Sequence, residues 1–120
     1  MNPVKFLRAR RGLNLALIIA WAALIFAGSS VPGSDLPGGI DPYTTLMHAA
    51  EYSVLGFLAL PCVRGRNPLL LAVAACALWG FSDEFHQLFV PGRTCSVRDA
   101  IVDVAGSAAG AAAAKLWGKT

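Results

Sequence analysis

Apolar residues fall into four long runs, separated by short segments rich in Pro, Gly or Arg. The runs cover residues 13–28, 46–63, 69–90 and 100–117. Their lengths are close to the roughly 20 residues that an α-helix needs to cross the hydrocarbon core of a bilayer. The spacing fits neither a half-buried strand nor the amphipathic helix of a soluble protein. The pattern therefore predicts an all-α membrane protein whose single domain, residues 1–120, is a compact bundle of four transmembrane helices.

In each of the last three runs, the polar residues gather at one end. His48 and Glu51 lie near the start of the second run, residues 83–87 near the end of the third, and Asp99 and Asp103 at the start of the fourth. Successive spanning helices run antiparallel, so these three ends should lie at the same level of the membrane. The sequence thus predicts one polar cluster near one membrane face.

Composition agrees with lipid as the main solvent, because 56% of the residues are hydrophobic and only 14% are charged. The net charge of +3 comes from bases that flank the apolar runs and form no stripe interleaved with aromatic residues. We therefore expect no nucleic acid partner. The three cysteines have no CxxC spacing and are predicted to be packing residues.

The distribution of bases predicts the orientation. Eight bases fall on one side of a four-span chain and two, Arg93 and Arg98, on the other. The eight are Lys5, Arg8, Arg10, Arg11, Arg64, Arg66, Lys115 and Lys119. Their side should be cytoplasmic, which puts both termini in the cytoplasm and the polar cluster outside, in a multi-pass protein of the cell membrane. The first run also has the form of a cleavable signal peptide, but a retained span is the simpler reading.

Helical spacing sorts the polar residues into faces. His48, Glu51 and Tyr52 follow i, i+3, i+4 and share one face. On the third run Glu84 and Gln87 share a stripe that we expect to face inward, with Asp83 on the adjacent one. An ionisable side chain costs about 2.5–3.5 kcal/mol at the centre of a bilayer, so this recurrence indicates either a functional pocket or an ion-pair network that locks the helix ends.

The segment between the third and fourth runs adds two candidates. Ser96 lies three residues before Asp99 and is placed to cap the fourth helix, whose dipole also favours Asp99. Arg93 departs from the positive-inside pattern. It should have a carboxylate partner, Glu84 or Asp103, or bind an anionic ligand such as a phospholipid headgroup.

Catalytic and metal chemistry receive weaker support. Glu84 or His48 could act as a general base, but no GxSxG motif is present. The spacings HxxE at His48 and DExH at Asp83 fall short of a recognised metal motif such as HExxH. We therefore predict no metal and no cofactor.

Small residues mark a packing surface on the last run. Gly106 and Gly110 are four residues apart, and Ala109 and Ala113 form a neighbouring stripe. Such surfaces let another helix approach closely. The partner is either a helix of the same chain or a second copy in a homo-oligomer.

The ordered motifs HAAEY from His48, SDEFHQLFVPGR from Ser82 and SVRD from Ser96, followed by Asp103 and Gly106, resemble the VanZ-like family over about residues 41–110. That family takes its name from a protein associated with low-level resistance to the glycopeptide teicoplanin. The resemblance implies functional roles for ten positions: His48, Tyr52, Asp83, Glu84, Gln87, Pro91, Arg93, Ser96, Asp99 and Gly106. Many relatives have Asn at the position of Asp103 and a Lys shortly before the His, which weakens the anionic-ligand interpretation for this chain.

Three functions are compatible with these residues. The chain could hold a membrane lipid or a lipid-linked envelope precursor in the outward site, modulate teicoplanin susceptibility, and use seven residues as ligands: Tyr52, Asp83, Gln87, Arg93, Ser96, Asp99 and Asp103. It could instead be an enzyme acting on a headgroup or envelope polymer, with Glu84 or His48 as the base. The third alternative is a structural partner subunit without a ligand.

Overall fold

The structure is a computed structural model that describes residues 2–32, 43–93 and 96–120. Within these ranges the chain forms five α-helices, one 3-10 turn and no strand, which confirms the all-α prediction. The helices are α1 (Pro3–Ala9), α2 (Arg11–Ser29), α3 (Tyr43–Ala59), α4 (Pro68–Gln87) and α5 (Val97–Trp117), and the 3-10 turn Leu60–Cys62 follows α3.

Two of the described helices, α2 and α4, are long and apolar enough to cross a membrane by themselves. α3 has only 17 residues before the 3-10 turn. α5 has 21 residues, but Arg98, Asp99 and Asp103 lie in its first two turns. Apolar length alone therefore supports two of the four predicted spans.

Local capping explains where several helices begin. Asn67 accepts a hydrogen bond from the backbone N–H of Leu70 at the start of α4. The Ser96 hydroxyl accepts one from the N–H of Asp99 (3.3 Å), so the predicted cap of α5 is confirmed. α1 was not predicted. It forms because Asn2 caps the N–H groups of Val4 and Lys5, with a proline at the first helical position.

α4 ends at Gln87, three residues before the predicted end of the third run. From Leu88 onward the backbone N–H groups bond to carbonyls three residues back, and the chain turns toward Pro91. The ring of Pro91 disfavours helical geometry at Val90. Gly92, at φ 72°, completes the reversal.

α3 and α5 cross with their backbones in direct contact. A Cβ atom at Gly106 would lie 2.7 Å from the carbonyl oxygen of Ala49, and one at Gly110 would overlap the backbone of Ser53. Gly56 on α3 is equally close to the backbone of Ser107. α3 of the same chain therefore covers the small-residue face of α5. A homo-oligomer through Gly106 and Gly110 would require α3 to leave this face, and oligomerisation itself stays a prediction.

Both ends of the chain meet at one end of the bundle. The Asn2 side-chain amide donates to the Thr120 hydroxyl (2.8 Å), and Lys5 Nζ donates to the Thr120 carbonyl oxygen (3.0 Å). α1 also contacts the 3-10 turn, so the segments that carry the eight counted bases share this end. The bundle measures 43 × 23 × 22 Å, and the polar residues of α3, α4 and α5 lie toward its other end.

Candidate functional site

Three helices bring His48, Glu84 and Asp103 together inside the bundle. The side chains come from α3, α4 and α5 and are 3%, 4% and 1% exposed. One nitrogen or oxygen atom of each lies within 4.8 Å of the others. The arrangement arises because each helix carries its polar residues at the same end.

His48 and Asp103 form the closest polar contact of the site. His48 Nδ1 lies 2.6 Å from Asp103 Oδ1, and both side chains are buried. Gly80 on α4 makes room for the pair, because a Cβ atom there would lie 3.1 Å from Asp103 Oδ2 and 3.4 Å from Tyr52 Cε1. The Tyr52 ring lies parallel to that of His48, one turn along α3.

Glu84 connects the site to the beginning of α5. Its Oε2 accepts a hydrogen bond from the backbone N–H of Ser96 (3.0 Å), while the Ser96 hydroxyl caps α5. Asp99 follows in the first turn, where the positive end of the helix dipole stabilises a carboxylate. Ser96 and Asp99 thus have a structural role beside the site.

Several buried polar atoms of the site have no hydrogen-bond partner among the described residues. They are Tyr52 Oη, both carboxylate oxygens of Asp83, Glu84 Oε1, Gln87 Nε2 and Asp103 Oδ2. An unsatisfied buried polar group costs about 1–3 kcal/mol, and more when it is charged. A network that only locked helix ends together would satisfy these atoms internally. These atoms are available to bind a ligand or ordered water.

Arg93 does not contact either of the two carboxylates predicted as its partners. Its Nη1 donates to the backbone carbonyl oxygen of Val31 (3.2 Å), and among the described residues neither Glu84 nor Asp103 is within ion-pair distance. The half-buried guanidinium ties the end of α2 to the turn after α4. The expected carboxylate pairing is wrong for these residues, because a carbonyl at a helix end offers an acceptor that no sequence pattern reveals.

α2 closes the remaining side of the cluster. Trp21 Nε1 donates to the Glu51 carbonyl oxygen (2.8 Å), and the Glu51 carboxylate lies near Gly28. His86 Nε2 lies 2.9 Å from Ser30 Oγ, and its ring stacks on Phe26. Glu51 and His86 therefore face α2 rather than the group formed by His48, Glu84 and Asp103.

Ser29 also borders the site and was not among the predicted site residues. Its buried hydroxyl lies beside the Asp83 carboxylate, although the geometry is not that of a good hydrogen bond. A serine at the end of an apolar run resembles an ordinary helix terminus. Only the packing of α2 against α4 shows that it borders the site.

An apolar groove between α4 and α5 leads to the cluster. It has a volume of about 380 Å³, within the roughly 300–1,000 Å³ typical of ligand sites. Its polar members are Glu84 and Ser96, and its apolar lining is Phe81, Phe85, Leu88, Val97 and Ala100. A second groove shares Phe81, Val97 and Ala100 and continues along α5 to Ala108. The two grooves adjoin on the bundle surface, and Glu84 and Ser96 are the residues of the site that border them.

The His48–Asp103 pair also has the form of an acid–base unit. A carboxylate at one ring nitrogen fixes the orientation of the imidazole and leaves the other nitrogen for proton transfer. Glu84 adds a second group that can accept a proton. The site can therefore either hold a ligand or move a proton on one.

The sequence model of the VanZ/LLP1 family matches residues 14–118, which cover most of α2 and all of α3, α4 and α5. No curated protein and no solved structure gives a significant match.

Proposed function

Because the chain belongs to the VanZ/LLP1 family of membrane proteins, we propose that it binds a membrane lipid or a lipid-linked envelope precursor. The hydrocarbon chain lies in the groove between α4 and α5, and the headgroup reaches the polar cluster. The observation that carries this proposal is the apolar groove that ends at Glu84 and Ser96.

The protein works as a four-span bundle of the cell membrane in this proposal. α5 is about 31 Å long at 1.5 Å per residue, and α3 is extended by the 3-10 turn. The long dimension of 43 Å is similar to the roughly 40–45 Å thickness of a bilayer with its headgroups. His48, Tyr52, Asp99 and Asp103, which are among the residues that lower the apolar character of α3 and α5, are buried in the bundle. Arg98 is exposed in the first turn of α5. With the basic end in the cytoplasm, the cluster lies toward the outer leaflet.

The surface of the groove suits a hydrocarbon chain. Phe85, Leu88 and Val97 are largely exposed and offer apolar contacts along its length. Gln87 and Tyr52 supply hydrogen-bonding groups deeper in the cluster, where both side chains are buried. This division between apolar walls and a polar end matches the two parts of a phospholipid or a polyprenyl phosphate.

The direct test compares two substitutions on α5. Ala100→Phe fills the groove at the position shared by both of its parts, whereas Ala109→Phe adds the same ring on the face toward α3. Native mass spectrometry of the detergent-solubilised protein with phosphatidylglycerol or a polyprenyl phosphate measures binding and tells the two lipid sources apart. We expect Ala100→Phe to weaken binding by about tenfold and Ala109→Phe to leave it unchanged. Equal binding by both variants would refute the proposal.

In cells, this binding modulates teicoplanin susceptibility. Expression of the protein should raise the minimal inhibitory concentration of teicoplanin, and Ala100→Phe should abolish the increase at an equal protein level. Ala109→Phe serves again as the control. If the Ala100→Phe protein still raised the minimal inhibitory concentration, teicoplanin susceptibility would not depend on lipid binding in the groove.

A second candidate function is acid–base catalysis on the bound headgroup, favoured by the 2.6 Å contact between His48 and Asp103. In this case Glu84→Gln and His48→Asn would abolish headgroup turnover. Headgroup release from a radiolabelled lipid measures the reaction. Absence of turnover by the wild-type protein would leave binding as the function.

A further inference from the structure

We propose that His48, Glu84 and Asp103 form a binding site for a divalent transition-metal ion. The role that we assign to this ion, holding the phosphate of a lipid headgroup, rests on the proposed function. The existence of the ion site does not, because it can be measured without lipid.

The ligand atoms are of the right type and come from three helices. One imidazole and two carboxylates are a set that suits Zn²⁺ or Mn²⁺, and the three side chains are almost completely buried. The local spacings in the sequence concealed this set, because each helix contributes a single ligand. The prediction of no metal rested on those local spacings.

A small rearrangement would complete the site. The three donor atoms lie within 4.8 Å of one another, whereas a tetrahedral ion with bonds of about 2.0–2.2 Å holds its ligands roughly 3.3–3.6 Å apart. The side chains therefore need to move together by roughly 1 Å. On binding, the proton between His48 Nδ1 and Asp103 Oδ1 is released to solvent, and these atoms separate to become neighbouring ligands.

Unpartnered oxygens on two of the three residues point independently to a cation. Glu84 Oε1 and Asp103 Oδ2 lack partners among the described residues, and these side chains are 4% and 1% exposed. Within residues 2–32, 43–93 and 96–120, four carboxylates are buried, those of Asp83, Glu84, Asp99 and Asp103, and one buried group can carry a positive charge, His48. Uncompensated charges are costly in an apolar interior. A divalent ion would offset two of them.

The ion also resolves a difficulty in binding phosphate. A cluster of carboxylates repels an anionic headgroup. An ion with three protein ligands keeps at least one coordination position for another oxygen. A phosphate oxygen in that position would place the hydrocarbon chain in the groove beside Glu84.

Metal binding is tested on the full chain in detergent, stripped with EDTA and dialysed. Isothermal titration with Zn²⁺ and with Mn²⁺ should give one ion per chain, with Mg²⁺ at the same concentration binding more weakly. Glu84→Gln and Asp103→Asn should weaken binding at least about 100-fold. His86→Asn and Glu51→Gln are matched controls that change a nearby histidine and a nearby acid outside the ligand set, and they should bind as the wild type does.

A spectroscopic measurement on the unmodified protein makes the result independent of variant folding. Stoichiometric Co²⁺ should produce the visible absorption of a site with nitrogen and oxygen ligands, and Zn²⁺ should displace it. Absence of stoichiometric binding in the wild type would overturn the ion site, as would equal losses in Glu84→Gln and His86→Asn.

Lipid binding separates the two proposals. If the ion binds and EDTA weakens phosphatidylglycerol binding, both stand. If the ion binds but lipid binding is insensitive to EDTA, its assigned role in headgroup binding is overturned. If no ion binds while Ala100→Phe still removes lipid binding, the ion site fails and the proposed function survives.

Discussion

At the scale of single residues, Asp103 has two distinct oxygens. Oδ1 contacts His48 Nδ1 at 2.6 Å, while Oδ2 has no partner among the described residues and lies beside the space that Gly80 leaves. An asparagine at this position would retain the acceptor for His48 and lose the negative charge. Asp103 therefore links the stability of the bundle to the charge of the site.

Two substitutions that remove the Asp103 carboxylate should destabilise the bundle by different amounts. Asp103→Leu leaves His48 buried without its partner and should lower the free energy of unfolding by about 3–5 kcal/mol. Asp103→Asn keeps the hydrogen bond and should cost about 1 kcal/mol. Denaturant titration in micelles, followed by helical circular dichroism, measures both.

Ile101→Val is the control for Asp103, because Ile101 is 63% exposed on the same helix. It should change the free energy of unfolding by no more than about 0.5 kcal/mol. If Asp103→Leu were as stable as this control, the contact with His48 would contribute nothing to folding.

Helical spacing in the sequence could identify those site residues whose partners also lie on regular helices. His48, Glu84 and Asp103 fall at the polar ends of their runs, so antiparallel packing was enough to predict their convergence. For Arg93, the sequence predicted a carboxylate partner or an anionic ligand. The contact in the structure is a hydrogen bond to the Val31 backbone carbonyl. Every residue type has such a carbonyl, so the sequence carries no signal for this bond.

At the scale of elements, the contact between α3 and α5 holds the site in place. Gly56 on α3 and Gly106 and Gly110 on α5 bring the two backbones together, which sets the separation of His48 from Asp103. The glycine spacing predicted close approach correctly but left the partner helix open. Glycine spacing shows that a helix face is smooth, whereas the choice of partner depends on the arrangement of the whole bundle.

Adding a side chain to this interface should separate the two helices. Gly110→Leu would overlap the Ser53 backbone, which cannot move without shifting α3. We expect a loss of at least about 1–3 kcal/mol in the free energy of unfolding, together with weaker binding at the site, because His48 moves with α3. Thermal unfolding in micelles and native mass spectrometry with phosphatidylglycerol measure the two effects.

Gly12→Leu is the matched control, since a Cβ atom at Gly12 meets no atom within 4 Å. It should leave both stability and binding close to the wild type. A Gly110→Leu protein that matched Gly12→Leu would show that α3 and α5 do not depend on their close contact.

At the scale of the whole molecule, charge and polarity divide the bundle into two ends. One end joins α1, the C-terminus and the 3-10 turn, and the other holds the cluster. α1 itself escaped prediction, because its seven residues are too few for a periodic pattern and its bases were interpreted as flanking charges. Val4 and Leu7 of α1 are buried against the bundle, and Lys5 and Arg8 are exposed.

Labelling of introduced cysteines from outside the cell tests this polarity. In a chain whose native cysteines are replaced by serine, Ser34→Cys lies between the first two predicted spans, outside the described residues, and Arg66→Cys lies in the turn before α4. If the basic end is cytoplasmic, a membrane-impermeant maleimide should label Ser34→Cys in intact cells and Arg66→Cys only after permeabilisation. The reverse pattern would place the cluster at the cytoplasmic face, where its lipid would come from the inner leaflet. Labelling of both positions in intact cells would mean that the first two spans do not cross the membrane as predicted.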